Sequence, residues 1–222
     1  MKIAVIIVCI ILLSLLDYLF INWKHILGEN KKVNIKAILP SGWKQSIVYL
    51  LIPLSLACIA VMYFGFYDCA LILTLKRISV IAILWPIAIS DFKEYRIPNK
   101  LLLYGLLLRF LLLIAELTTD LRLTLTTLAN EGIALVFVTI ICIGCMLLSR
   151  GSLGMGDLKL AMCMSIFLGI EGMCYTMFVS VFFSAFIAIG LLITKKKSRK
   201  DALPFAPFIL TGSFVGLILT GV

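Results

Sequence analysis

The sequence predicts an all-α integral membrane protein, a polytopic bundle of about eight transmembrane helices. Of its 222 residues 63% are hydrophobic and only 14% are charged, whereas soluble domains average about 45–50% apolar and about 25% charged residues. The apolar residues also fall into stretches close to the roughly 20 residues that a helix needs to cross a bilayer. A soluble globular protein is therefore excluded.

Eight apolar stretches follow one another along the chain, and each predicts a helix because an isolated strand leaves its backbone unsatisfied in lipid. Their approximate bounds are 3–22, 46–67, 71–91, 101–116, 132–149, 158–170, 172–194 and 202–222. The first is interpreted as a retained anchor, since about 19 apolar residues exceed a typical signal core and no small-x-small cleavage site closes them. We divide the chain into this anchor with its basic loop, residues 1–45, and a membrane domain, residues 46–222.

The net charge of +9 is explained by where the 20 lysine and arginine residues fall. When the loops are assigned alternately to two sides, most of these residues lie on one side, which the positive-inside rule places in the cytoplasm. The loops on that side are those around 23–45, 92–100, 150–159 and 195–200. Both termini of this multi-pass plasma-membrane protein are then expected outside. The basic excess predicts topology and attraction to anionic lipid rather than a nucleic-acid partner.

Metal and histidine chemistry receive little support from the sequence. Cys142-x-x-Cys145 has metal-ligand spacing, but it lies in an apolar stretch without a second Cys or His pair in an aqueous loop. The one histidine, His25, has no motif around it, which argues against a histidine-activated Ser or Cys nucleophile. We therefore expect neither a metal ion nor a cofactor.

Most of the 11 acidic residues have an ordinary explanation. Glu116 and Glu131 fall at the outer ends of spans, where solvation accounts for them. Asp17 lies within the first span, where it either pairs with a basic group such as Arg109 or approaches the inner face. Two acids, Asp91 and Asp157, remain as candidates for chemistry.

Asp91 and Asp157 are predicted to reach the same, cytoplasmic end of the bundle. Asp91 ends the third stretch, before Ile97-Pro98-Asn99, where the proline stops one helix and starts the next. If Arg77 marks the outer boundary, Asp91 lies about 21 Å further along the helix, short of a hydrocarbon thickness of about 30 Å. Asp157 begins the short sixth stretch after a glycine-rich turn. Each acid on its own is equally typical of a helix end.

Two carboxylates at one level favour a specific chemistry. When close, they cannot both ionise cheaply, so the pair shares a proton. The ionised carboxylate can draw a proton from water while the protonated one hydrogen-bonds a scissile carbonyl, which is aspartic proteolysis. A transporter or channel with proton-binding or cation-binding acids is the alternative from another class. It predicts acids at mid-depth along a polar path rather than at one end beside loops.

At these residues the sequence resembles the type IV prepilin peptidases. Asp91-Phe-Lys-Glu-Tyr-Arg-Ile-Pro98-Asn99 is similar to the first catalytic motif of that family, and Gly154-Met-Gly156-Asp157-Leu-Lys159 is similar to its second, the GxGD signature. Residues 203–208 are similar to a third segment, with Ala206 in place of the usual glycine. The resemblance covers about residues 75–222 and part of the second stretch.

The resemblance implies cleavage of the short basic leader of prepilin-like or pseudopilin-like proteins, at the cytoplasmic face and just before the hydrophobic helix of the substrate. Asp91 and Asp157 would form the catalytic pair. Five residues would support the site: Gly154, Gly156, Lys159, Pro98 and Asn99. Membrane lipid and the machinery of pilus assembly or secretion are the further partners that it implies.

Two departures from related patterns bear on the activity. Bifunctional members of the family carry two Cys-x-x-Cys pairs between their first two spans, whereas the interval 23–45 contains no cysteine; N-methyltransferase activity is therefore not expected. Presenilin-like proteases, the alternative enzyme class, also use GxGD but cut within transmembrane helices. Their first aspartate follows a tyrosine and a Pro-Ala-Leu motif comes late, whereas here Ser90 precedes Asp91 and the late segment reads Ala202-Leu203-Pro204.

Overall fold

The computed structural model describes residues 2–26, 43–67, 69–148, 154–194 and 203–220, and these form a helical bundle. Its helices are α1 Lys2–Ile26, α2 Trp43–Val61 with a π-helical continuation Met62–Phe66, α3 Leu71–Glu94, α4 Asn99–Thr119, α5 Leu121–Leu148, α6 Met155–Ile193 and α7 Ala206–Thr220. Six of them are long and apolar enough to cross a membrane, and α7 is shorter. The predicted fold class, a polytopic membrane helix bundle, is confirmed.

The number of helical segments also agrees with the sequence prediction. Helix α6 is broken at Gly169, whose φ of 68° and ψ of −175° are not helical. The break separates α6a, residues 155–168, from α6b, residues 170–193, so the described residues form eight segments. The basic loop residues 27–42 and the loop residues 149–153 and 195–202 lie outside the described residues. The division at residue 45 and the sidedness of the loops stay predictions.

Helix α3 forms the centre of the bundle. Most of its residues are apolar, and every residue from 76 to 84 is buried, including the charged Lys76 and Arg77. Helices α1, α2, α4, α6 and α7 all pack against it. Because Asp91 lies in the last turns of this helix, its side chain is delivered to the interior of the bundle.

Helix α7 packs unusually closely along α6b. A Cβ atom at Gly212 would clash with the Ser180 hydroxyl and lie 2.5 Å from the Thr176 carbonyl oxygen, and one at Gly216 would lie 3.6 Å from Thr176 Oγ1. Glycines spaced by four let helix backbones approach in this way. Gly212 thus lies beside Ser180 and Gly216 beside Thr176, so the two helices run antiparallel. This register fixes the position of the first residue of α7.

Helix α5 begins at Leu121, well before the predicted start at about 132. Asp120 caps it, because its Oδ1 accepts hydrogen bonds from the backbone N–H groups of Arg122 and Leu123 at 3.0 and 3.1 Å. The hydroxyls of Thr124, Thr126 and Thr127 bond to carbonyls three or four residues earlier. The prediction was wrong here because it followed apolar residues, whereas a cap and back-bonded threonines allow a polar first turn to be helical.

The break in α6 is stabilised by side chains from three other helices. Arg77 on α3 donates through Nη1 to the Phe167 carbonyl oxygen at 2.7 Å, and Arg109 on α4 donates through Nε to the Ile166 carbonyl oxygen at 3.2 Å. Asn130 on α5 accepts the N–H of Ile170 at 3.4 Å. Backbone groups freed by a helix break need such partners in an apolar interior. Arg77 is therefore a buried cap, and its position gives no measure of the membrane boundary, so the depth of Asp91 stays a prediction.

An ion cluster surrounds this break. Glu131 pairs with Lys76 and, at 2.7 Å, with Arg109, while Glu116 lies 3.6 Å from Lys76 and 3.1 Å from Arg109. The Glu131 side chain is buried. The expectation that solvation explains Glu116 and Glu131 was wrong: they neutralise cations inside the bundle. Arg109 accordingly has these partners rather than Asp17.

Candidate active site

Asp91 is held in place by the structure that follows it. Tyr95 ends α3 in the left-handed conformation, with φ 51° and ψ 35°, and its N–H bonds to the Asp91 carbonyl oxygen at 2.9 Å. Pro98 then caps the start of α4, as the break predicted from the sequence requires. The Asp91 side chain is only 5% exposed. The turn between α3 and α4 thus directs the carboxylate back into the bundle.

The Asp91 carboxylate lies at the beginning of α7. Its Oδ2 accepts a hydrogen bond from the backbone N–H of Ala206, the first residue of that helix, at 2.9 Å. The N-terminus of a helix carries partial positive charge and free N–H donors, which stabilise an anion there. This contact places the segment 203–208, similar to the family's third motif, directly against the candidate carboxylate. The sequence prediction missed it because a backbone donor leaves no signal in the choice of side chain.

Asp157 occupies the first turn of α6a, directly after the glycine-rich segment. Gly154 is the non-helical residue that precedes the helix, and a Cβ atom there would lie 3.0 Å from Asp157 Oδ2. Glycine at this position therefore leaves room for the carboxylate beside the backbone. An acid in the first turn also complements the helix dipole.

The fold brings the two candidate carboxylates together. Asp91 lies within electrostatic range of Asp157, although they come from α3 and α6 and are 66 positions apart in the sequence. Neither has an ion-pair partner among the described residues. Two like charges without a cation between them are the arrangement in which one proton is shared.

The predicted supporting residues lie beside Asp157 and where the α3–α4 turn meets α6a. A Cβ atom at Gly156 would lie 3.3 Å from Cβ of Ile97, so the glycine admits the α3–α4 turn against α6a. Lys159 donates to Asn99 Oδ1 at 3.4 Å, one residue beyond the cap Pro98. The first two sequence motifs therefore pack against each other, and each glycine has a steric reason.

The position of the site within the bundle follows from the register of α6b and α7. Gly212 lies beside Ser180, and the two helices are antiparallel. Six residues further along both helices, Ala206 therefore lies at about the level of Phe186. Helix α6b runs on to Ile193, roughly 10 Å beyond this level. The Asp91 carboxylate thus lies inside the bundle, short of the helix ends.

A groove between α5 and α6, here called the α5–α6 groove, opens beside Asp157. Its volume is about 330 Å³, and its other lining residues include Cys142, Cys145, Cys174 and Phe205. The lining is apolar apart from the Asp157 carboxyl and the thiols. Cys142 and Cys145 belong to this wall, and the described residues contain no group of three His, Cys, Asp or Glu side chains that could hold a metal ion.

Asp17 is not part of the pair. It is buried in α1 and lies within electrostatic range of Tyr104 on α4. Its Oδ2 has no hydrogen-bond partner among the described residues.

The sequence profile of the type IV leader peptidase family matches residues 78–193, which include both candidate aspartates. The chain belongs to this family. A prepilin leader peptidase/N-methyltransferase of Bacillus subtilis is 27% identical over 138 residues, which make up 62% of this chain and 53% of that protein. The chain thus spans about half the length of this curated relative. No solved structure matches it significantly.

Proposed function

We propose that this member of the type IV leader peptidase family is a membrane aspartic endopeptidase that removes the leader of prepilin-like proteins at the cytoplasmic face. The observation that carries the proposal is that Asp91 lies within electrostatic range of Asp157 inside a bundle of apolar helices, and that neither aspartate has an ion-pair partner among the described residues. Family membership and the name of the Bacillus subtilis relative support leader cleavage as the reaction.

The hydrogen bond from Ala206 assigns the two roles. Because this backbone donor at a helix N-terminus contacts Asp91, we assign Asp91 as the base and Asp157 as the acid that starts the reaction with a proton. Asp91 takes a proton from water, and the hydroxide attacks the carbonyl carbon of the scissile bond. Asp157 gives its proton to the carbonyl oxygen as the tetrahedral intermediate forms. The C–N bond then breaks as the leaving nitrogen takes up the proton held by Asp91, and Asp157 regains its proton from the intermediate.

The cytoplasmic location rests on the distribution of basic residues. The segment from the end of α3 to the start of α4, close to Asp91, carries Lys93, Arg96 and Lys100. Basic residues accumulate in cytoplasmic loops. Prepilins or pseudopilins whose leaders lie in the cytoplasm would then reach the site from that side, and the pilus or secretion machinery that uses them is the expected partner.

The test is cleavage of a prepilin in cells. The chain is co-expressed with candidate prepilins encoded near its gene, and the amino terminus of the product is followed by mass spectrometry. Asp91→Asn and Asp157→Asn should each leave the leader in place, because each removes either the base or the acid. Glu171→Gln, at an exposed acid beside the break in α6, is the matched control and should cleave normally. Continued cleavage by either aspartate variant would refute the mechanism.

The same measurement separates peptidase from methyltransferase activity. Because the interval 23–45 has no cysteine, we expect the trimmed product without the added mass of a methyl group. A methylated product made by this chain alone would overturn that expectation while leaving the peptidase intact.

A further inference from the structure

Two apolar grooves of comparable kind run along the outside of the bundle. One is the α5–α6 groove beside Asp157. The other, here called the α2–α7 groove, has a volume of about 580 Å³ and is lined by Leu51, Leu54, Cys58, Trp85 and Phe214 among others. The second is larger, but no acidic residue lines it. Of these two grooves in the described part of the chain, the α5–α6 groove is the one that connects an apolar surface with a candidate catalytic carboxylate.

We propose that the α5–α6 groove receives the apolar helix of the substrate, which enters sideways from the lipid. The inference rests on the proposed function and adds the surface on which the substrate lies. Phe137 and Ile141 on one wall and Val181 on the other are exposed. In a membrane bundle such residues face lipid, so an occupant must itself be stable in lipid. A helix with an apolar surface fits this requirement, and a charged peptide does not.

The direction of the groove determines which bond of the substrate meets the aspartates. Its α5 wall extends from Phe137 to Cys145, about 12 Å or two helical turns. Asp157 interacts electrostatically with Cys142 near the Cys145 end of this wall. A helix lying along the wall therefore presents one end, and not its middle, to the catalytic pair. This geometry selects a bond at the end of the helix, where the backbone is open to attack.

The break at Gly169 is what makes the groove. Because α6b folds back beside α6a, Met177 from one half and Ala161 from the other line the same cavity. A straight α6 would carry residues 170–193 away from Asp157. The positive φ of Gly169 and the caps from Arg77, Arg109 and Asn130 thus shape the substrate surface as well as the helix.

Native cysteines allow the proposal to be tested by disulfide trapping. Cys145 and Cys174 are exposed and line the α5–α6 groove, whereas Cys58 is exposed and lines the α2–α7 groove. Three enzymes, each retaining one of these cysteines in an otherwise cysteine-free Asp91→Asn background, would be oxidised together with a prepilin. The prepilin carries single cysteines in the first two turns of its apolar helix. A disulfide requires Cα atoms about 4.4–6.8 Å apart.

We expect disulfides with the Cys145 and Cys174 enzymes and none with the Cys58 enzyme. The same three enzymes with Asp91 restored must cleave the same prepilins, which tests the proposed function separately. If they cleave while the disulfide forms only at Cys58, or while none forms at Cys145 and Cys174, the docking proposal is wrong and the function stands. Failure of the wild type to cleave counts against the proposed function.

A matched pair of bulky substitutions gives a readout without cross-linking. Ile141→Trp would fill the α5–α6 groove and Leu54→Trp the α2–α7 groove, and both residues are exposed, so neither change crowds the core. We expect Ile141→Trp to raise KM at least tenfold with little change in kcat, and Leu54→Trp to leave both values unchanged. Equal melting temperatures of the two variants would confirm that both fold. Wild-type KM in Ile141→Trp would overturn the proposal.

Discussion

Acidic side chains lie at both ends of the helix pair α3 and α6a, Glu116 of α4 and Glu131 of α5 at one end and Asp91 and Asp157 at the other, and their surroundings differ. At one end Glu116 and Glu131 pair with Lys76 and Arg109. At the other end Asp91 and Asp157 lie within electrostatic range of each other, and among the described residues the donor to the Asp91 carboxylate is the backbone N–H of Ala206. Charges buried with partners hold helices together, whereas charges left beside each other keep a proton available for chemistry.

The dipole of α6a connects these two ends. Its C-terminal carbonyls, at Ile166 and Phe167, accept from two arginines, and its N-terminal turn carries Asp157. Both arrangements match the sign of the helix dipole. Lys76, Arg77 and Arg109 together exceed the charge of the two glutamates by one, and the negative end of α6a offsets this excess. Fixing one end of α6a against α3 thus also fixes the distance between the acids at the other end.

The largest expected effect is a loss of activity without a loss of stability when an acid of the Asp91 and Asp157 pair is changed. Asp157→Asn should lower the cleavage rate by at least about 100-fold, since it removes a general acid, while its melting temperature in detergent stays close to that of the wild type. The rate is measured on purified prepilin and the melting temperature on the same preparation. A variant that loses activity only because it melts earlier would show that Asp157 belongs with the structural acids.

The next largest effect is a loss of stability when an acid of the ion cluster is changed. Glu131→Gln leaves Lys76 and Arg109 with one carboxylate, and breaking a buried ion pair in this way costs about 3–5 kcal/mol. We expect the free energy of unfolding to fall by this amount, as measured by denaturant titration in mixed micelles. The double change Lys76→Met with Glu131→Gln restores the original excess of one positive charge and should recover most of the stability. No recovery would mean that the cluster acts through packing and not through charge.

The sequence could predict the acidic pair but not the ion cluster, for a physical reason. Asp91 and Asp157 each lie next to a helix break, at Pro98 and Gly154, and breaks are local features that can be read from neighbouring residues. Family resemblance then suggested the roles that we propose for them. Glu131 lies 55 positions from Lys76, and only the packing of α5 against α4 and α6 decides that it is paired and not solvated.

The start of α5 and the role of Ala206 were beyond sequence reasoning for different reasons. The apolar content of a stretch shows where a membrane span is, but a capped helix such as α5 continues past it into polar residues. A backbone N–H, such as that of Ala206, is present at nearly every position, so its importance depends wholly on what the fold places beside it. The eight helical segments themselves could be predicted, because lipid imposes the length and apolar character of each.

A smaller effect is expected from changes in the packing of α7, which positions Ala206 beside Asp91. Gly212→Ala brings a methyl group against the Thr176 carbonyl oxygen, whereas Gly216→Ala meets its nearest atoms at 3.6 Å, an ordinary contact. We expect the first to lose about 1–3 kcal/mol through overcrowding and to cleave more slowly, since α7 shifts and Ala206 moves with it. Gly216→Ala should behave as the wild type in both measurements. If the two variants had the same stability and the same cleavage rate, the packing of α7 would have no influence on the position of Asp91.

The smallest effect concerns the contact between Lys159 and Asn99 at the edge of the acidic pair. At 3.4 Å between two exposed side chains, the hydrogen bond is long and contributes no more than about 1 kcal/mol. If Lys159 supports the site only through this bond, Lys159→Met and Asn99→Ala should lower kcat/KM equally and by less than about fivefold, and the double variant should lower it no further. A much larger loss in Lys159→Met alone would show that the ammonium acts on the carboxylates themselves. In that case the acids at both ends of α6a would have a cation nearby. The two ends would then differ only in how close the cation lies to the carboxylates.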